Sequence, residues 1–427
     1  MSPLIFILIF ILIYIAILKR PFKLHEGTIA FIGAILIILI GIISPMDAVN
    51  SIVGTYSHPW QIIIFFITFA IISTSLEDLG FFKWCAFHTT RHAKHNGKKL
   101  FNYLFLGTAL ITFLTANDIV ILTLTPFVLH LGLHHNKYPK AYLFMIFFVA
   151  NTGSLGHLLG NLTNIIVSDT FQISFLTFLK YLFIPMIAAL AVEYAILKWY
   201  FRKEINQTFI VDKTINPKQI IKSKTKVGIV LTILFLIIIL ALFQPIHGVN
   251  LWILTTVGAL LTIIIGRFNP IKRISRVPWQ VVLFVASLFI IITGFVKTGI
   301  SKYFASILYL IQEKLLLNVT ILGSFLTSLI AAIMNNIPGT IMMSNILAAS
   351  SLTGINQQSA IYSIIIGSNL GANLTIIGAL AGLMWIHLIR EKGHKISALE
   401  FSKIGIITMI PTILITALIL YIELALF

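Results

Sequence analysis

The sequence predicts an all-α polytopic membrane protein: ten transmembrane helices plus two re-entrant helical hairpins, arranged in two inverted-topology repeats. Three observations predict it. The composition is too apolar for a water-soluble domain, the basic residues gather on one side of the apolar runs, and one phrase occurs twice. Apolar residues make up 58% of the 427 and charged residues 10%, against roughly 25% charged in soluble domains. A formal net charge of +17 would suggest a nucleic-acid partner in a soluble protein. Here the basic residues sit in short loops between apolar runs, as membrane topology demands, and no nucleic acid is expected. The one cysteine, Cys85, excludes a disulfide framework and a multi-cysteine metal site. The N-terminal "MSPLIFILIFILIYIAILKR" has no basic leading region and no small-residue cleavage site, and reads as a retained first span.

Apolar runs of spanning length lie near 3–18, 27–44, 60–82, 141–160, 175–200, 226–243, 250–266, 279–297, 360–389 and 403–424. Two further segments, about 101–135 and 318–350, are too long for one crossing and carry polar residues midway. Each reads as a helical hairpin that enters and leaves on the same side. With the N-terminus outside, 26 of the 30 Lys and Arg fall inside, and only Lys180, Lys297, Lys302 and Lys314 fall outside. That asymmetry favours this topology over its inverse.

The repeated phrase is "HPWQIIIFF" at His58–Phe66 and "VPWQVVLFV" at Val277–Val285. Pro suits a helix's first turn and Trp an interfacial anchor, which accounts for one copy. Aligned without gaps, 59–84 and 278–303 share nine residues, including Phe65/Phe284, Thr74/Thr293 and Gly80/Gly299. The same features then follow in each half: a hairpin with a polar tip, and a segment rich in Gly, Asn and Thr. The tips are Asn117-Asp118 and Asn335-Asn336; the segments are "NTGSLGHLLGNLTN" and "GSNLGANLTIIGALAG". Five spans per half is an odd number, so the halves face opposite ways, as in many secondary transporters. The expected organisation is a first transmembrane repeat over 1–200 with its unwound helix at about 151–164, and a basic cytoplasmic connector over 201–225. A second repeat covers 226–427, with its unwound helix at about 367–382.

Hydrocarbon offers no hydrogen-bond partners, so a broken helix survives only where it is buried or lines a wet cavity. The four polar interruptions therefore form the candidate substrate site. It comprises Asn117 and Asp118 at the first tip, and Asn335, Asn336 and Thr340 at the second. Ser154, Asn161, Thr163 and Asn164 line the first unwound helix; Ser368, Asn369, Asn373 and Thr375 line its counterpart. The same residue types also glue transmembrane helices together. Asp118 is the one carboxylate predicted deep in either hairpin, and an intramembrane acid is a functional hypothesis by default. It is the first candidate for proton coupling, and a helix-capping role is the alternative. Glu193, within the 175–200 span, is a second candidate proton site, with snorkelling or helix pairing as its alternative. His157, in the first unwound segment, is the third. Glu77, Asp78, His88, Arg91, His92 and His95 read as a solvated cytoplasmic face without metal-ligand spacing.

No nucleotide-binding loop, zinc-protease motif or nucleophile elbow occurs, so neither ATP hydrolysis nor enzyme activity is expected, and no cofactor. No Lys or Arg is predicted at membrane depth near the site. A multiply charged anion would depend on helix N-termini alone, whereas a neutral hydroxylated solute or a small cation suits Asn, Ser, Thr and Asp.

Over almost its whole length the chain resembles the arsenite efflux permease (ArsB) family of the ion transporter superfamily. The resemblance is carried by "LEDLGFFKWCAFH" (76–88), "TANDIVILTLTP" (115–126), "NLTNIIVSDTF" (161–171), "WYFRKEI" (199–205) and "PWQVVLF" (278–284). It continues in "MNNIPGT" (334–340), "GSNLGANLTIIGALAGLMWIHL" (367–388) and "GIITMIPTIL" (405–414). Ser368 stands where some members carry cysteine, and His157 and Ala372 stand near the places of a helix-breaking proline. The resemblance implies two inverted repeats with hairpins, a homodimer, and arsenical resistance through export of arsenite or antimonite across the cytoplasmic membrane by proton antiport. It also implies a soluble ATPase subunit as a partner in some members. The alternatives are a sodium/proton antiporter or anion carrier of the same superfamily, or a membrane subunit that serves an ATPase-driven pump.

Overall fold

The helices begin and stop where the sequence changes chemistry. The computed structural model describes residues 3–19, 21, 24–54, 59–129, 132–133, 139–210, 220–300 and 316–426. Residues 211–219 of the expected connector, 134–135 at the end of the first expected hairpin, and Arg20, Lys23, Lys137, Lys302 and Lys314 of the charge count lie outside the described residues.

Among the described residues, helices of nine residues or more run in the following order. The first half has α1 (Pro3–Lys19), α2 (Glu26–Leu39), α3 (Pro45–Val53), α4 (Pro59–Asp78) and α5 (Phe81–His92). It continues with α6 (Gly97–Leu114), α7 (Asn117–Leu129), α8 (Lys140–Gly153), α9 (Leu162–Thr170) and α10 (Phe175–Tyr200). The second half has α11 (Lys224–Leu242), α12 (Leu251–Ile265), α13 (Trp279–Lys297) and α14 (Leu316–Met334). It ends with α15 (Asn336–Ala348), α16 (Gly354–Gly371), α17 (Leu380–Glu391) and α18 (Ala398–Leu426). A two-residue antiparallel ladder pairs Gly132–Leu133 with Phe209–Ile210. Six of the described helices, α4, α10, α11, α13, α14 and α18, are long and apolar enough to cross a bilayer.

Both copies of Pro-Trp-Gln start a long helix: Pro59 is the first residue of α4, and Pro278 immediately precedes α13. Both helices are followed by a glycine in the left-handed region, Gly80 at φ 82 and Gly299 at φ 77, which only glycine adopts without strain. The halves exchange partners, with α4 packing on α12 and α13 on α2. Trp60 meets Trp252 edge-on, ring centroids 5.0 Å apart. Trp279 keeps about half its surface exposed and donates its indole N–H to the Ile274 carbonyl at 3.0 Å.

The span expected to run to residue 44 stops at Leu39, and α3 is an element the apolar pattern did not announce. Ser44 starts it with a reciprocal capping box to Asp47. Asp47 then meets the Lys297 ammonium at 2.5 Å, tying α3 to the end of α13.

The centre is α8 and α16. Every residue from Ala141 to Gly153 and from Ser359 to Gly371 is buried. At the periphery the large apolar side chains face outward, among them Leu4, Leu8, Ile32, Leu39, Phe235, Leu236, Leu260 and Ile264. Such an inside-out distribution would be a liability in water and suits a hydrocarbon surround.

Candidate functional site

Each central helix breaks. After α8 come two 3-10 turns, Ser154–Gly156 and Leu158–Gly160, and then Asn161, whose side chain accepts from the Thr163 amide at 3.3 Å to cap α9. After α16 the chain is non-helical from 372 to 379 except for a 3-10 turn at Ile376–Gly378. Both breaks are narrower than the expected 151–164 and 367–382. The reason is local: Asn151 and Asn369 donate to the carbonyls of Phe147 (3.2 Å) and Ile365 (2.8 Å), four residues back, and so ride inside their helices.

These asparagines meet across the two halves. Asn117 donates to Asn151 (2.8 Å), and Asn151 donates to Asn373 (2.8 Å), which donates to the Phe148 carbonyl (3.2 Å). Asn369 accepts from Ser154 (3.0 Å) and Asn161 (2.9 Å), and donates to Asn164 (2.7 Å) as well as to Ile365. Asn164 closes the ring by donating to the carbonyls of Ser154 (2.8 Å) and His157 (3.0 Å). A primary amide has two N–H donors and one oxygen with two acceptor sites. Asn369 uses all four, which leaves it no capacity to bind a solute. It is a clamp between the halves.

The first tip is different. Thr115 and Ala116 separate α6 from α7, and the Asn117 side chain accepts from the Asp118 amide at 2.9 Å. Asp118 is half-buried, and its carboxylate makes no hydrogen bond among the described residues. It faces a cavity of about 300 Å³ together with Asn117, Thr74, Glu77 and Arg276, between apolar walls that include Phe65, Phe69 and Met384. The second tip borders a much smaller space. Asn335, at a left-handed φ of 72, is held by the Ile337 amide (3.3 Å) and the Ile377 carbonyl (3.2 Å), beside an apolar cleft of only about 20 Å³. Asn336 is buried, and the Thr340 hydroxyl bonds the Asn336 carbonyl in its own helix.

Among the other expected site residues, Ser368 bonds its own helix at the Ile365 carbonyl and Thr375 the Ala332 carbonyl. The Thr163 hydroxyl is buried without a partner among the described residues. His157 is buried with its ring edge-on to Phe113 at 4.6 Å. Glu193 is fully buried beside Thr152, so its head does not reach water and it does not snorkel. Neither His157 nor Glu193 lines the Asp118 cavity.

Four contributors escaped the sequence reading: Asn151, Thr74, Glu77 and Arg276. Asn151 was legible as the first residue of the first polar segment. Glu77 and Asp78 were expected on a solvated face, but the short helix Pro270–Ser275 folds over them. Asp78 pairs with Arg273 and Arg276, and the Arg273 side chain is 4% exposed against 52% for Arg276. Arg276, 52% exposed at the side chain, also lines the cavity, and its charge is matched by Asp78.

Residues 5–424 match the family described as arsenical pump membrane protein. An arsenical pump membrane protein of Escherichia coli (strain K12) is 30% identical over 411 residues, covering 94% of each chain. Its counterpart in Yersinia enterocolitica is 30% identical over 406 residues and 93% of each. Among solved structures, the Alcanivorax borkumensis YdaH transporter superposes with a TM-score of 0.53 at 12% identity, covering 89% of this chain and 86% of that one. At that identity the likeness speaks for the fold alone.

Proposed function

The chain belongs to the arsenical pump membrane protein family, and on that premise we propose that it exports arsenite or antimonite across the cytoplasmic membrane in exchange for protons. One observation carries the reading: the unpaired carboxylate of Asp118 facing an open cavity at a helix tip. The charged groups in that cavity are Asp118, Glu77 and Arg276, so its charge balance is not positive. A multiply charged anion gains nothing there. Arsenite is an uncharged triol at neutral pH, and hydroxyl, amide and carboxyl groups can both donate to it and accept from it.

In this reading Asp118 takes a proton as the solute leaves and gives it up as the next one loads. Asn117 holds Asp118 and hands its own position to the amide lattice. Ser154, Asn161, Thr163, Asn164, Ser368, Asn369, Asn373 and Thr375 shape the frame, and Asn335, Asn336 and Thr340 form the second tip. Glu193 and His157 are secondary proton sites. The matching order of elements in the two halves and their exchanged packing support inverted repeats over 1–200 and 226–427, joined by 201–225; the homodimer is carried by the family resemblance alone. Movement of the tip-bearing core against the remaining helices would give alternating access.

The test is arsenite flux in proteoliposomes of the purified chain, driven by a pH gradient and without nucleotide. The wild type is expected to move arsenite, and Asp118→Asn to lose the pH-driven component while remaining folded. Pump function that needs an added ATPase would overturn the antiport reading. A gradient discharged by sodium and not by arsenite would move the assignment to a sodium/proton antiporter.

A further inference from the structure

A second cavity, of about 750 Å³, lies at the opposite end of α4 from Glu77 and Arg276. Its polar lining includes Gln61, Ser168, Asp169, Gln172, Thr177 and Asn250, and it contains no lysine or arginine. The two cavities share walls. Phe65 on α4 and Ile165 on α9 line both, with Leu158 on the second side and Leu159 and Leu162 on the Asp118 side. Helices α4 and α9 pack directly on each other here. Phe65 is buried, and its ring stacks on Phe69 at 5.4 Å with the planes 16° apart, which fixes it across the gap. The walls the two spaces share are therefore apolar, and an apolar constriction excludes water and polar solutes by dewetting.

We propose that the second cavity is the release half of the conduit that starts at Asp118, a site for a small uncharged polyhydroxylated solute, and that Phe65 and Ile165 are the seal between the halves. The proposal rests on the reading that the Asp118 cavity loads the exported solute. A second observation points to a ligand. Ser168 is 4% exposed, lines this cavity, and its hydroxyl has no hydrogen-bond partner among the described residues. A buried hydroxyl without a partner carries a desolvation cost that a hydroxylated solute or its water would relieve. Gln61, Gln172 and Asn250 add amides that donate and accept, matching a triol. With no lysine or arginine in its lining, the space offers nothing to hold an anion.

The conduit can be tested without any solute. In a Cys85→Ser background, Thr177→Cys marks the second cavity and Thr74→Cys the Asp118 cavity. In sealed vesicles, a membrane-impermeant maleimide added on the face where Thr177→Cys reacts should leave Thr74→Cys unlabelled. Adding Phe65→Ala or Ile165→Ala should make Thr74→Cys react from that same face. Vesicles of opposite orientation show that Thr74→Cys is folded and reactive throughout. If both seal variants leave Thr74→Cys closed to the Thr177 face, the conduit is overturned, whether or not the chain carries arsenite. The site itself is tested by Ser168→Val, with arsenite as the probe in counterflow loaded from the Thr177 face. Its half-saturating concentration should rise about three- to ten-fold, the worth of one hydrogen bond. An unchanged value overturns the Ser168 site.

Discussion

Replacing Asn369 by alanine separates a structural clamp from a ligand. The variant deletes two acceptor and two donor contacts at once. Ser154 still has the Asn151 carbonyl at 2.8 Å, and the Ile365 carbonyl lies within a continuous helix. The Nδ2 of Asn161 and the Oδ1 of Asn164 lose the side-chain partner that joined them across the halves. Two buried polar groups orphaned at about 1–3 kcal/mol each give about 2–6 kcal/mol. Counting instead four bonds at the roughly 0.6 kcal/mol averaged in a membrane protein gives about 2.4 kcal/mol. The expected loss is therefore about 2–3 kcal/mol, where the second figure falls inside the first range. The assay is reversible unfolding in mixed micelles, followed by helical circular dichroism. The control is Thr412→Ala, whose buried hydroxyl bonds, among the described residues, only the Thr408 carbonyl of its own helix at 2.7 Å. That control should cost less than about 1 kcal/mol. A loss for Asn369→Ala within about 0.5 kcal/mol of the control would refute the clamp. So would an undiminished stability accompanied by a weaker half-saturating arsenite concentration, the signature of a ligand.

The arginines that share Asp78 should behave very differently. Arg273→Ala removes a buried charge that also approaches the Thr74 carbonyl and the Ser75 hydroxyl, each at 3.4 Å, while Asp78 keeps Arg276, and is expected to cost about 1.5–3 kcal/mol. Arg276→Ala, at a largely exposed side chain, should cost no more than about 1 kcal/mol; equal losses in chemical unfolding would contradict the burial of Arg273. At Asp47, the hydrogen bond from the Lys297 ammonium, helped by Ser44, holds the carboxyl down to about 2. A depressed acid contributes stability above its ordinary value of 3.8 and loses it as the pH falls toward 2. The thermal-midpoint difference between wild type and Asp47→Asn should therefore be the same at pH 7 and pH 5.5 and shrink only below about 4. A difference that already shrinks at pH 5.5 would contradict the pair.

Much of the fold was legible because hydrophobic length and charge placement are one-dimensional signals. The starts of α4 and α13, the polar tips and the two helix breaks all sit where an apolar run meets Pro, Asn or Gly. The short capped helix α3 was lost because its nine residues carry too little apolar periodicity to stand out. The burial of Asp78, expected on a solvated face, was missed for a related reason. A charged residue at the end of a span reads as solvated, and only the fold of Pro270–Ser275 over Asp78 removes it from water. The site was legible as a set of residues and illegible as a set of roles. Asparagine next to a helix break is what a lattice needs and equally what a solute site needs. The two differ only in whether the amide's four positions are already taken, and the partners of Asn369 lie more than two hundred residues away in sequence.

The division between saturated and unsaturated groups has a mechanical consequence. A transporter site must hold its geometry through a large conformational change, yet release its solute easily. Amides that satisfy one another across α8, α9 and α16 make the frame stiff, since moving any one of them strands a buried partner. A carboxylate kept out of that lattice can change its proton content without breaking the frame. Asn117 joins the two regimes, because its amide donates into the lattice at Asn151 while its oxygen fixes the Asp118 backbone. The second tip keeps the first Asn but carries Asn336 where the first tip carries Asp118, and the cleft beside Asn335 holds only about 20 Å³. An acid at both tips would set two protons against each other in one core. With an acid at one tip only, the proton exchange proposed for Asp118 stays local to the first tip, and the second tip is free to serve as packing.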